Sequence, residues 1–162
     1  MSRPMRATRR KTSRRKPIQP KLLKYVDKFD LPALESVEVT EQAVKDAGVV
    51  YLSDGCREEF LGKVESAKKM RLKTRRLRRN SLDKPIIKER GGWDKVEITF
   101  THFLKTLPIH AEIGTRLLGY IKGKGGTRWA VDGDRDGDGW YVFRLSVGRP
   151  TPWRAGRLLV SR

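Results

Sequence analysis

The stretch VDGDRDGDGW, residues 131–140, places Asp132, Asp134, Asp136 and Asp138 at every second position. Carboxylates at that density could hold a hard cation, since calcium and magnesium take several oxygens from one tight loop. The rest of the chain points elsewhere. Lys and Arg number 37 against 19 Asp and Glu, a formal charge of +18. Four of the nineteen acids gathered into seven residues therefore need a reason.

From Asp134 the order Asp134, Asp136, Asp138, Gly139 follows the opening of an EF-hand calcium loop, which also puts glycine at its sixth position. The pattern then stops. The twelfth position calls for a bidentate Glu and holds Leu145, and starting at Asp132 or Asp136 puts Phe143 or Val147 there. The flanks read as strands, where an EF-hand has helices. A solvated hairpin tip explains more. Gly133, Gly137 and Gly139 supply turn conformations, and Asp caps its own backbone in turns. Such a tip repels phosphate, so it is expected to face away from a polyanion or to screen a basic patch on the protein itself.

The remaining reactive side chains make no catalytic grouping. His102, His110 and Cys56 do not fall at zinc-ligand spacing, and no nucleophile–base pair can be assigned. KGKGG, residues 122–126, lacks the G-x-x-x-x-G-K-[ST] order of a nucleotide-binding loop. No catalytic residue, metal ligand or cofactor is expected. A metal-dependent enzyme built on Asp132–Asp138 is the third-ranked reading.

The strongest signal is basic. Residues 1–24 hold ten Lys or Arg and no acid, and residues 68–79, KKMRLKTRRLRR, hold eight and no acid. Phosphate contact is assigned to Arg9, Arg10, Lys11, Arg14, Arg15 and Lys16 in the first run. In the second it is assigned to Arg71, Lys73, Arg75, Arg76, Arg78 and Arg79. Lys122 and Lys124 of KGKGG, and Arg154 and Arg157 near the C-terminus, complete the set. Trp93 and Trp153 are stacking candidates, while Trp129 and Trp140 are expected to pack inside a hairpin.

No apolar run approaches the ~20 residues that span a bilayer, and the basic runs lack the aromatic face of an interfacial helix. A membrane partner is not expected. Cys56 is the only cysteine, which fits a reducing, intracellular compartment. The Arg-rich start also suits an organellar targeting peptide.

The elements that must carry these residues read as follows. Residues 1–30 form a basic arm. Residues 31–80 form a helical segment: Thr40 caps a short helix ended by Gly48, VVYL at 49–52 is a buried strand, and Ser53 caps a long helix. In that helix Phe60, Val64, Ala67 and Met70 make one apolar stripe, and it runs on into the basic run. Residues 81–92 are a linker. Residues 93–148 form a small α+β domain with a strand at KVEITFT and a helix over 108–121 carrying Ile109, Ile113, Leu117 and Tyr120. TRWAV and WYVFRLSV then make a hairpin. Residues 149–162 are a basic tail. The expected fold is thus α+β: a long basic helix, then a C-terminal strand–helix–hairpin unit compatible with a winged helix, with disordered basic extensions. The expected function is non-enzymatic nucleic-acid binding, with RNA in a large ribonucleoprotein favoured and other proteins of that assembly as neighbours. The alternatives are a winged-helix DNA-binding protein and a nucleic-acid-contacting structural protein of a virus or phage particle.

Overall fold

The long basic helix does not exist. Residues 19–162 are described by a computed structural model, and in it MRLKTRRL is a strand. The helix capped by Ser53 ends after seven residues (α2, Asp54–Phe60), because Gly62 turns the chain through a left-handed conformation at φ 77°. Two strands follow, β4 (Val64–Ala67) and β5 (Met70–Leu77). Along β5, Met70, Leu72 and Thr74 alternate with Arg71, Lys73 and Arg75, the period-two pattern of a strand with one face on a core.

The expected helix over 108–121 is also replaced. A helix precedes it (α5, Phe100–Thr106, capped by Thr99), and Pro108–His110 make a single 3-10 turn. The chain then reverses at Gly114, φ 88°, and enters β7 (Arg116–Lys122). Leu117 through Ile121 are five consecutive buried residues, because both faces of this central strand are covered. A continuous apolar run of that length does not distinguish helix from strand by itself.

Neither basic extension is loose where it is described. Leu23–Leu31 form β1, and Leu158–Ser161 form β10, which lies between β5 and β7. The stretch expected as a linker carries a helix of eight residues (α3, Asp83–Arg90) and a short α4 (Trp93–Val96). Early and late readings agree better. Thr40 caps α1 (Glu41–Asp46), and β8 (Arg128–Arg135) and β9 (Trp140–Ser146) form the antiparallel hairpin. VVYL is a strand, β3 (Val49–Leu52), but it lies at the sheet edge with Val50 and Tyr51 exposed rather than buried.

The architecture is therefore mainly β. The large sheet runs β1-β5-β10-β7-β8-β9-β3, with the short β6 (Glu97–Ile98) beside β7, and β2 (Leu34–Glu38) pairs with β4 apart from it. Covering helices lie on both faces. Phe60, Phe100 and Phe103 from α2 and α5 pack with Leu72, Leu117 and Trp140 on one, and the Phe60 and Phe100 rings stack at 4.5 Å. Ile86 and Val96 from α3 and α4 pack with Leu77, Leu118, Tyr120 and Trp153 on the other. Asp83 pins that second layer. Its buried carboxyl accepts from Tyr120 Oη at 2.7 Å, Trp153 Nε1 at 2.6 Å and the Gly148 amide at 2.9 Å. Glu65, also buried, accepts from the Phe100 and Thr101 amides and so holds the start of α5.

Candidate nucleic-acid interface

Strand alternation sorts the basic run. Arg71, Lys73 and Arg75 share the face of β5 on which α3 packs, about 6.8 Å apart in sequence along the strand. Their partners on β1 are Asp30, Lys28 and Tyr25. Arg71 forks onto Asp30, with Nε–Oδ1 at 2.8 Å. Lys73 instead faces Lys28, a like-charge pair. Arg76 points to the opposite face, where its partner Lys24 is again basic.

The last residue of α3 adds a charge that the sequence reading did not include. Arg90 Nε donates to Ser161 Oγ at 3.0 Å, and Arg75 Nη1 donates to the same oxygen at 3.5 Å. Among the described residues neither guanidinium has a carboxylate partner. Partial burial lowers the pKa of both, and the nearby Arg75 charge lowers that of Arg90 further. These two arginines, Lys21, Lys24, Arg78 and Tyr25 line a groove of about 520 Å³. Its one acid, Glu89, is engaged by the Leu22 and Leu23 amides at 2.6 and 2.7 Å.

At the other end of β5 a second groove, about 410 Å³, is lined by Lys63, Lys68, Lys69, Lys122 and Arg162, with Glu97 its one acid. Lys63 reaches the Lys122 carbonyl and, at 3.4 Å, the Glu65 carboxylate.

The other expected contacts scatter. Arg78 and Arg79 follow β5, where Arg79 Nη1 donates to the Pro20 carbonyl at 3.1 Å. Lys124 sits exposed in the β7–β8 turn, and Arg154 is exposed before β10. Arg157 is only 8% exposed, pairs with Asp132 and lies 4.8 Å over the Trp153 ring, so its charge is compensated inside the fold. Arg9, Arg10, Lys11, Arg14, Arg15 and Lys16 lie outside the described residues. Trp153 is buried, so it is no stacking platform, and Trp93 packs edge-on against Tyr120 beneath Arg128. Trp140 is buried with Nε1 on the Leu107 carbonyl, and Trp129 lies under Arg144. Cys56 is buried in the core, and burial pushes its thiol up to about 11, far from a nucleophile's range.

The four aspartates do separate jobs. Asp132 pairs with Arg157, and its burial pushes the carboxyl up to about 6 against that pull. Asp134 lies 3.5 Å from Arg116. Asp136 Oδ1 accepts from the Asp138 and Gly139 amides at 2.9 and 3.3 Å, closing the turn. Among the described residues no three His, Cys, Asp or Glu converge as a metal site. β8 and β9 stand three and four strands from β5, about 14 and 19 Å at ~4.8 Å per strand.

Lys28, Lys63 and Arg90 went unrecognised because each lies outside a run. Arg90 is placed by α3, which was read as a linker. Lys28 is placed by its register opposite Lys73, which no local pattern encodes. No family model, no curated protein and no solved structure matches this chain.

Proposed function

We propose that this chain is a non-enzymatic RNA-binding protein, a structural part of a larger ribonucleoprotein, whose β1–β5 face lies along the phosphate backbone. The observation that carries this reading is the like-charge register of Lys28 opposite Lys73, on the face of the ladder that also carries Arg71 and Arg75. Directly opposed like charges destabilise a sheet. A polyanion on that surface turns the cost into attraction.

Three further features support it. The two basic grooves sit at the two ends of β5 and hold one acid each, Glu89 and Glu97. The basic arm joins the described fold at Gln19, next to Pro20, which Arg79 touches. No described helix exceeds eight residues, which argues against reading a major groove by an inserted helix and favours backbone contact. A protein neighbour in the same assembly is supported by the half-exposed Tyr51, which stacks on Tyr141 along the free edge of β3.

The test is recovery of nucleic acid with the full chain at low salt, followed by nuclease digestion. RNase-sensitive material that elutes as salt rises is expected. A chain that carries no nucleic acid and binds no added RNA at low salt contradicts the reading.

A further inference from the structure

Arg75 and Arg90 come from different elements, a strand and a helix end, yet both guanidiniums are tethered to one hydroxyl. Ser161 is fully buried, so that hydroxyl is a fixed anchor. Arg90 also donates to the Arg162 carbonyl. A guanidinium has five donors in a planar fork, so each arginine keeps donors free for an anion. The two cations repel each other, the Glu89 charge offsets only part of that, and a bound phosphate relieves the rest. Tyr25, the cross-strand partner of Arg75, lines the same groove and is 49% exposed as a residue. Glu89, the acid there, is occupied by backbone amides.

We propose that Arg75 and Arg90, set by Ser161, form a phosphate subsite, and that Tyr25 beside it stacks an unpaired base, so the preferred ligand is single-stranded RNA. This rests on the reading of the β1–β5 face as an RNA surface and narrows it. In A-form duplex the bases are stacked inside and offer Tyr25 no face, whereas an unpaired base does. One phosphate shared by two arginines also makes their contributions interdependent.

The test uses fluorescence anisotropy of the full chain with a labelled twelve-nucleotide oligouridylate and with an RNA duplex of the same length. Arg75→Gln and Arg90→Gln each weaken single-strand binding about tenfold, and the double variant loses little more. The log–log salt slope falls by about 0.7, the value for one phosphate on a single strand. Tyr25→Leu costs about tenfold on the single strand and under twofold on the duplex. Arg75→Lys with Arg90→Lys keeps both charges but loses the forks, and weakens binding at least threefold. That pair gives the same reading if the Gln pair prevents folding. Unchanged affinity in the paired variants overturns the phosphate subsite. Equal losses on both RNAs for Tyr25→Leu, or none, overturn the single-strand preference. If the unaltered chain binds neither RNA, the wider reading of the face has failed; if it binds both and the variants match it, only the subsite has.

Discussion

Lys28 of β1 and Lys73 of β5 stand directly opposite each other in the antiparallel ladder, on the same face of the sheet. Like charges in that relation destabilise by roughly 0.2–1 kcal/mol. Replacing both by Gln is therefore expected to raise the melting temperature of the free protein while weakening RNA binding. A thermal melt and an anisotropy titration on the same variant check the two signs. A variant that loses stability, or binds RNA as before, contradicts the role assigned to this pair.

The Asp83 carboxyl takes three hydrogen bonds from Tyr120, Trp153 and Gly148. Asp83→Ala strands two buried donors, at about 1–3 kcal/mol each, and frees the part-buried Gly148 amide, so a loss of at least ~2 kcal/mol is expected in urea unfolding. Arg90 is carried by the same helix, so RNA affinity falls as well. A change below about 1 kcal/mol contradicts the view that Asp83 pins this layer.

Both ends of the molecule show what local pattern carries and what it does not. Thr40, Ser53 and the β8–β9 hairpin were legible, because capping and turn chemistry act over a few residues. The spacing of Phe60, Val64, Ala67 and Met70 imitates a helix, but Gly62 interrupts it, and the alternation in MRLKTRRL is the stronger pattern. Ile109 and Ile113 fit a helical stripe with Leu117 yet are exposed at 50% and 68%, outside any α-helix. β10 was read as tail because a strand of four residues is recognised only by what flanks it, here β5 and β7. Of the interface, the bases of β5 were visible as a run. Their division between two faces, and the convergence of Arg75 with Arg90, depend on long-range pairing.

The acidic turn is expected to tolerate neutralisation. Asn keeps an oxygen for the cap that Asp136 makes, and the Asp134–Arg116 pair is exposed. Changing Asp134, Asp136 and Asp138 together to Asn should leave the melt nearly unchanged. RNA binding should strengthen slightly at low salt, where the ~30 Å screening length at ~0.01 M spans the ~14–19 Å, and not at ~0.1 M, where it is ~10 Å. Calcium against chelator should not shift the melt of either chain. A calcium-dependent rise that vanishes in the variant contradicts this account of the turn.

His102 is fully buried, with Nε2 3.2 Å from the Pro32 carbonyl, and burial lowers its pKa from 6.5. A depressed folded pKa means that the unfolded chain takes up the proton first. The stabilisation is therefore complete above about pH 6.5 and is lost as pH falls toward the folded value. Chemical unfolding between pH 7.5 and 5 should show this fall, and His102→Gln should flatten it. An equally steep fall in the variant assigns the titration to other groups.

The central claim is that the basic face binds RNA through its phosphates, and the salt dependence of affinity tests it most directly. For the full chain on a long single-stranded RNA, about seven phosphate contacts at ~0.7 each give a log–log slope near −5. Affinity should accordingly collapse by roughly a thousandfold between 50 and 200 mM salt. A slope shallower than about −2, or an affinity unchanged across that range, contradicts it.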